Sequence, residues 1–228
     1  MGSVLAESAA LLFSGSELIK SIILVTLKMS LLSSLAALLF GVPLGVLYGS
    51  GSFPGKRALI IINRTLMGLP PVVCGLLCYL LFSGVGPLGS WQLLYTVEGM
   101  VIAQIILITP IVAGMMESFV SQIAPDVRET ACGLGFGRVK TAGLIVRESS
   151  YQIVTTYLLG LSRALAEVGA VSMVGGAISY KTNVMTTAIM NYTNMGSFKT
   201  ALALGILLLG LSLLLNIAVS LMQGRLRR

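Results

Sequence analysis

Histidine is absent from the chain, and carboxylates are scarce: eight Asp and Glu among 228 residues, with Asp126 the only aspartate. An enzyme would need a nucleophile with its base, a pair of aspartates or a set of metal ligands, and the sequence offers none of these. Charged residues make up 10% of the chain, against about 25% in a soluble domain, which excludes an ordinary globular protein. Cysteine is limited to Cys74, Cys78 and Cys132. The first two stand i,i+4 in an apolar run and the third in a polar stretch, which is neither a disulfide framework nor a zinc pattern. Small packing side chains fit better. The N-terminal MGSVLAESAALLFSGSELIK has no basic n-region, so cleavage as a signal peptide is not expected. Residues 1–17, with Glu7 and Glu17, read as a mildly amphipathic segment, interfacial or fraying.

What the chain does have is apolar length, with 56% of its residues hydrophobic. About 20 mostly apolar residues cross a bilayer as a helix. Five runs qualify: 19–48, 58–82, 99–119, 151–176 and 198–222. The expectation is an all-α integral membrane protein, one transmembrane domain over 1–228. Pro43 and Pro110 should bend the helices that contain them. Pro70 and Pro71 break the second span in mid-course. Irregular backbone at membrane depth is tolerated only against protein or a water-filled cavity, so Gly68-Leu69-Pro70-Pro71 is a candidate cavity-lining kink, with a plain packing kink as the alternative. Arg64, about two turns into that span, is near enough to the interface to snorkel. Trp91 and Tyr95, in the Gly/Pro loop 84–98, suit an interfacial aromatic belt.

A formal charge of +7 would suggest nucleic acid in a soluble protein. Here sidedness accounts for it, because basic residues collect in cytoplasmic loops. One side of a five-span frame holds nine: Lys56, Arg57, Arg128, Arg138, Lys140, Arg147, Arg225, Arg227 and Arg228. The other holds three, Lys20, Lys181 and Lys199. That places the C-terminus and the loop between spans 3 and 4 in the cytoplasm, and the N-terminus outside. Two glycine-rich stretches are discarded as nucleotide motifs. GSGSFPGKR (49–57) fails the phosphate-loop pattern, and GLGFG (133–137) has neither a preceding strand nor a following acid.

The polar stretch 124–147 and span 4 carry the candidate sites. Pro125-Asp126 is a good helix start, with Asp126 as cap and Glu129 reaching back in a capping box. The helix would run about two turns, with Val127, Ala131 and Leu134 roughly on one face, and end in Gly133, Gly135 and Gly137. A helix that short is not stable alone. It rests either on a partner subunit or, as a connector, on its own membrane domain. In span 4, Arg163 and Glu167 are i,i+4 on one face and can pair, at a depth where ionisable groups are costly. One reading makes the pair a lock between helices. The other has Arg163 meet an anion in transit while Glu167 tempers the attraction. The lock is preferred, because an ion that must leave gains nothing from tight binding in mid-membrane. Gly169 and other small residues keep the helix thin for close packing.

Glu129-Thr130-Ala131, then Gly135, then Ile145 resembles the E-A-A-x3-G-x9-I-x-L-P motif of ABC-importer permeases. Thr130 replaces the middle Ala, and Arg147-Glu148 replace Leu-Pro. SRALAEVGAVSMVGG (162–176), YKTNVMTTAI (180–189) and Gly68-Leu-Pro-Pro71 are similar to the oxyanion branch of that family, the E-V-G-A-V, V-G-G and M-T-T-A-I forms most of all to its tungstate-type permeases. The resemblance implies a type I importer permease fold with a cytoplasmic coupling helix. It implies an import pathway for a tetrahedral oxyanion, tungstate first and molybdate next, with sulfate or thiosulfate as the alternative. The implied partners are a second copy of the chain, two cytoplasmic ATPases docked at Asp126, Val127, Glu129, Thr130, Ala131, Leu134, Gly135 and Ile145, and an external oxyanion-binding protein. ATP and Mg would sit on the ATPases and no cofactor on this chain, in a bacterial or archaeal cell membrane. Arg163, Glu167, Gly169, Pro70 and Pro71 are the candidate pathway or lock residues. An ion-coupled secondary transporter is a weaker reading, because no inverted repeat is visible.

Overall fold

The computed structural model describes residues 17–226, with side chains through Leu221. The interfacial reading of residues 1–16, and the sidedness carried by the side chains of Arg225, Arg227 and Arg228, lie outside the described residues. All regular structure among the described residues is helical. The helices are α1 (Glu17–Ser50), α2 (Lys56–Met67), α3 (Pro71–Phe82), α4 (Val97–Gly133), α5 (Arg138–Glu148), α6 (Ser150–Ala166), α7 (Gly169–Gly175), α8 (Met185–Asn194) and α9 (Phe198–Leu226), with a 3-10 turn at Gly89–Trp91.

Helices α1, α4 and α9 are long and apolar enough to cross a bilayer singly. The pairs α2–α3 and α6–α7 raise the number to five if each pair makes one span, but they are bent by 101° and 56° at their breaks. Runs 58–82 and 151–176 are therefore not continuous rods. At the first break Pro70 is the N-cap of α3 and Pro71 its first residue, positions where a missing N–H costs nothing. The double proline thus starts a new helix rather than kinking an old one.

Helix α4 departs most from expectation. It continues through Pro125 to Gly133, so Asp126 is not an N-cap and no capping box forms. Proline inside a helix costs roughly 3 kcal/mol. Packing opposes that cost here: Val120 and Ala124, on the turns before and beside Pro125, are buried with Val46, Met116 and Ile145. At 37 residues and about 1.5 Å per residue, α4 outruns a hydrocarbon core of about 30 Å. Its polar end is a projecting spur of the span itself. The sequence 138–148, read as loop, is helix α5.

The described residues form two compact units, each assembled from separated stretches. One comprises 34–69, 105–161 and the described residues from 218 onward. Its core joins α1 to α4. Gly41, Gly45 and Gly49 of α1 face Val112, Met116 and Val120 of α4, and a Cβ at Gly41 would lie 2.6 Å from Val112 Cγ1. This is a small-x3-small seam that lets two backbones approach. The other unit comprises the described residues to 33, 70–104 and 162–217. There Thr26 Oγ1 accepts from Met185 N–H (2.9 Å), which satisfies a free donor at the start of α8.

Candidate functional site

The spur of α4 ends in a glycine cap. Gly135 has φ +69°, the Phe136 N–H donates to Ala131 O (2.8 Å) and the Gly135 N–H to Cys132 O (3.0 Å). These are the two bonds of a Schellman motif, which wants glycine at the left-handed position. No neighbouring atom lies within 4 Å of a Cβ built at Gly135, so backbone conformation rather than crowding calls for glycine there. The final glycine of the E-A-A-x3-G spacing is thus the residue that stops the helix.

The predicted docking residues divide by burial. Asp126, Glu129, Thr130 and Leu134 are exposed, and Val127 is half-buried. Thr130 Oγ1 donates back to Asp126 O (3.0 Å). Asp126, Val127, Thr130 and Leu134 line one cavity of about 510 Å³ with Phe136 of the α4–α5 turn and Glu148 of α5. Ala131 and Ile145 are each only 1% exposed, which corrects their assignment to a docking face. Ile145 sits in the core against Val46, Met116, Val120 and Ala124. It anchors α5, and the exposed residues are what a partner can reach. Lys140 lies 5.5 Å from the centre of the Phe136 ring.

At the α6–α7 break the predicted pair is present, with Arg163 Nη2 3.4 Å from Glu167 Oε2. Glu167 does more than pair. Its Oε1 accepts from the Ala170 N–H (3.2 Å) at the start of α7, and its carbonyl accepts from Thr186 Oγ1 (2.8 Å). The carboxylate therefore holds both sides of the bend. Gly169 lies against α3: a Cβ there would be 2.9 Å from Val72 Cγ2 and 3.4 Å from Pro71 Cβ. Pro71, Gly169, Glu167 and Arg163 thus occupy one neighbourhood. Pro70 stays exposed.

Two features were not foreseen. Gln104, fully buried, accepts from Ser33 Oγ (2.5 Å) and donates to Ala164 O (2.9 Å), one of the carbonyls left free where α6 ends. Arg64 of α2 pairs across to Glu117 of α4, Nη2 to Oε2 3.4 Å, instead of simply reaching for an interface. A sequence signal existed for the pair, since both are charges of opposite sign inside apolar runs. Among the described residues no group of His, Cys, Asp and Glu is placed to hold a metal ion.

Apolar spanning helices, a proline-started break and a capped polar spur together describe a multispanning membrane protein. The fold matches that of solved ABC transporters. One, a bacterial transporter involved in the import of the acidic polysaccharide alginate, aligns with a TM-score of 0.80 at 20% identity over 97% of this chain and 84% of its own. Another, the MetNI methionine transporter in an inward-facing form, aligns with a TM-score of 0.75 at 19% identity over 92% and 96%.

The chain belongs to the family of binding-protein-dependent transport system inner membrane components, whose model matches residues 41–228. It is 37% identical over 86% of its length to a "Probable anion ABC transporter permease protein" of Haloferax volcanii, covering 87% of that protein. It is 34% identical to the tungstate uptake system permease protein TupB of Peptoclostridium acidaminophilum over 93% of both chains. It is 28% identical to the sulfate transport system permease protein CysW of a Synechocystis strain, over 85% of this chain and 74% of that one.

Proposed function

We propose that the chain is the membrane subunit of an ATP-driven importer for a tetrahedral oxyanion, tungstate before molybdate. The observation that carries this reading is near full-length similarity to a tungstate permease, with the SRALAEVGAVSMVGG stretch folded as the α6–α7 bend. Sulfate is the second reading, favoured by the similarity to sulfate permeases. Two copies would enclose the pathway, since about five spans are few to do so alone. An outer binding protein delivers the anion. Two cytoplasmic ATPases, which hold ATP and Mg, dock on the exposed face formed by Asp126, Glu129, Thr130 and Leu134, with Ala131, Gly135 and Ile145 keeping that face in place. This chain holds no cofactor. The C-terminus is cytoplasmic and the N-terminus external, in the inner membrane.

Closure of the ATPases would move the spur of α4, and a rigid helix carries that motion into the membrane. The test is co-purification followed by uptake in proteoliposomes containing the ATPase and the binding protein, with labelled tungstate competed by molybdate and sulfate. Tungstate uptake that outcompetes sulfate is expected. Glu129→Lys should abolish coupled uptake while the chain stays in the membrane. Normal uptake by that variant would remove the docking assignment, and preferential sulfate uptake would replace the substrate.

A further inference from the structure

Two arginines stand inside the apolar runs, and they are held in opposite ways. Arg163 is 39% exposed and belongs to a carboxylate already occupied by the bend. Arg64 is 64% exposed, and its only ion-pair contact among the described residues is one nitrogen at 3.4 Å from Glu117, itself 10% exposed. A guanidinium carries five N–H donors in a fixed fork. The one contact of Arg64 engages a single nitrogen of that fork, while the partner carboxylate is buried on α4.

The surroundings hold α2 in place. Asn63, buried beside Arg64, donates from Nδ2 to Pro110 O (3.0 Å), so α2 is pinned to α4 at the proline. Gly114 leaves the room for this, since a Cβ there would lie 3.2 Å from Asn63 Nδ2. Next along α4, a mostly apolar cavity of about 290 Å³ is lined by Met67, Met115 and Phe119 with Ser118, Gln122 and Gln152. Helix α2 then stops at Met67 with Gly68 exposed.

We infer that Arg64, steadied and half-neutralised by Glu117, is the cation that the transported oxyanion meets in the membrane, and that Arg163 is not. The inference rests on the oxyanion-import reading above. A charge-assisted fork suits a tetrahedral oxyanion, and the buried carboxylate keeps the site weak enough for release, as conduction requires.

The experiment uses the complete importer in proteoliposomes. If the parent complex moves none of tungstate, molybdate or sulfate, the functional reading itself has failed. If the parent transports, Arg64→Gln should lower uptake roughly tenfold, the scale of one charge-assisted contact, while ATP hydrolysis and protein level hold. Arg64→Lys should keep much of the rate. In a Cys132→Ser background that transports normally, Arg64→Cys should be slow, regain uptake with an aminoethyl methanethiosulfonate and gain nothing from the uncharged methyl reagent. Uptake by Arg64→Gln at the parent rate, or a loss in Arg64→Cys that restored charge does not repair, would overturn the assignment.

Discussion

The two ion pairs that draw an arginine from an apolar run use the same two side-chain types and differ in almost everything else. Arg163–Glu167 lies within one stretch of chain, four residues apart, and its acid is saturated by the Arg163 guanidinium and the Ala170 amide. Arg64–Glu117 joins two helices 53 residues apart through one contact, and its base is largely exposed. The first pair sits where a helix stops and restarts, so its charge is used to satisfy helix ends. The second ties the last turn of α2 to α4 through a single ion-pair contact, so most of its donors are left over. A charge in a membrane protein is thus better judged by its unspent hydrogen-bonding capacity than by its depth.

The comparison breaks most visibly at Glu167. Glu167→Ala leaves Arg163 beside apolar helices and uncaps α7, and the cost should be about 3 kcal/mol, as for breaking a buried pair from one side. Thermal unfolding in detergent and the yield of membrane-inserted protein measure it. A double-mutant cycle with Arg163→Ala should recover part of the loss, because no unpaired charge then remains. Additive losses would mean that the Ala170 cap, not the ion pair, is what matters. Gln104→Leu comes next. It strands Ser33 Oγ and Ala164 O beside the same bend, for roughly 1–3 kcal/mol in the same unfolding assay. Gly135→Ala follows, at about 1–2 kcal/mol for a left-handed non-glycine residue. Its effect should be local: coupled uptake falls further than the melting temperature, because the spur end rather than the bundle is strained.

How far these features were legible in the sequence depends on the range of the interaction behind each. Apolar length located the three helices long enough to span singly and the two bent pairs, and i,i+4 spacing located Arg163 and Glu167 as a pair. The glycine of the 129–135 motif was visible, but its role as a helix cap follows only from the bonds of Phe136 and Gly135. Pro125 misled because local propensity argues for a helix start there, while burial of Val120 and Ala124 carries the helix through. Ile145 misled similarly: its place in a surface motif says nothing of the core that α5 packs into. Gly41, Gly45 and Gly49 had a readable small-x3-small spacing whose partner helix no spacing could name. The contact of Arg64 with Glu117, and of Gln104 with Ser33 and Ala164, depends on which helices the fold makes neighbours.

The smallest stability change should come from Arg64→Gln, and that smallness sharpens the contrast. With its guanidinium largely in the open the pair contributes about 1 kcal/mol, and glutamine can still donate to Glu117, so the buried acid is not stranded. Asn63 keeps α2 tied to Pro110 whatever residue 64 becomes. The melting temperature should therefore move less than in any of the variants above, while anion flux falls roughly tenfold. Glu167→Ala should show the reverse, with folded protein lost and the flux per surviving importer little changed. A large unfolding shift in Arg64→Gln would make its ion pair a second lock and erase the distinction between the two.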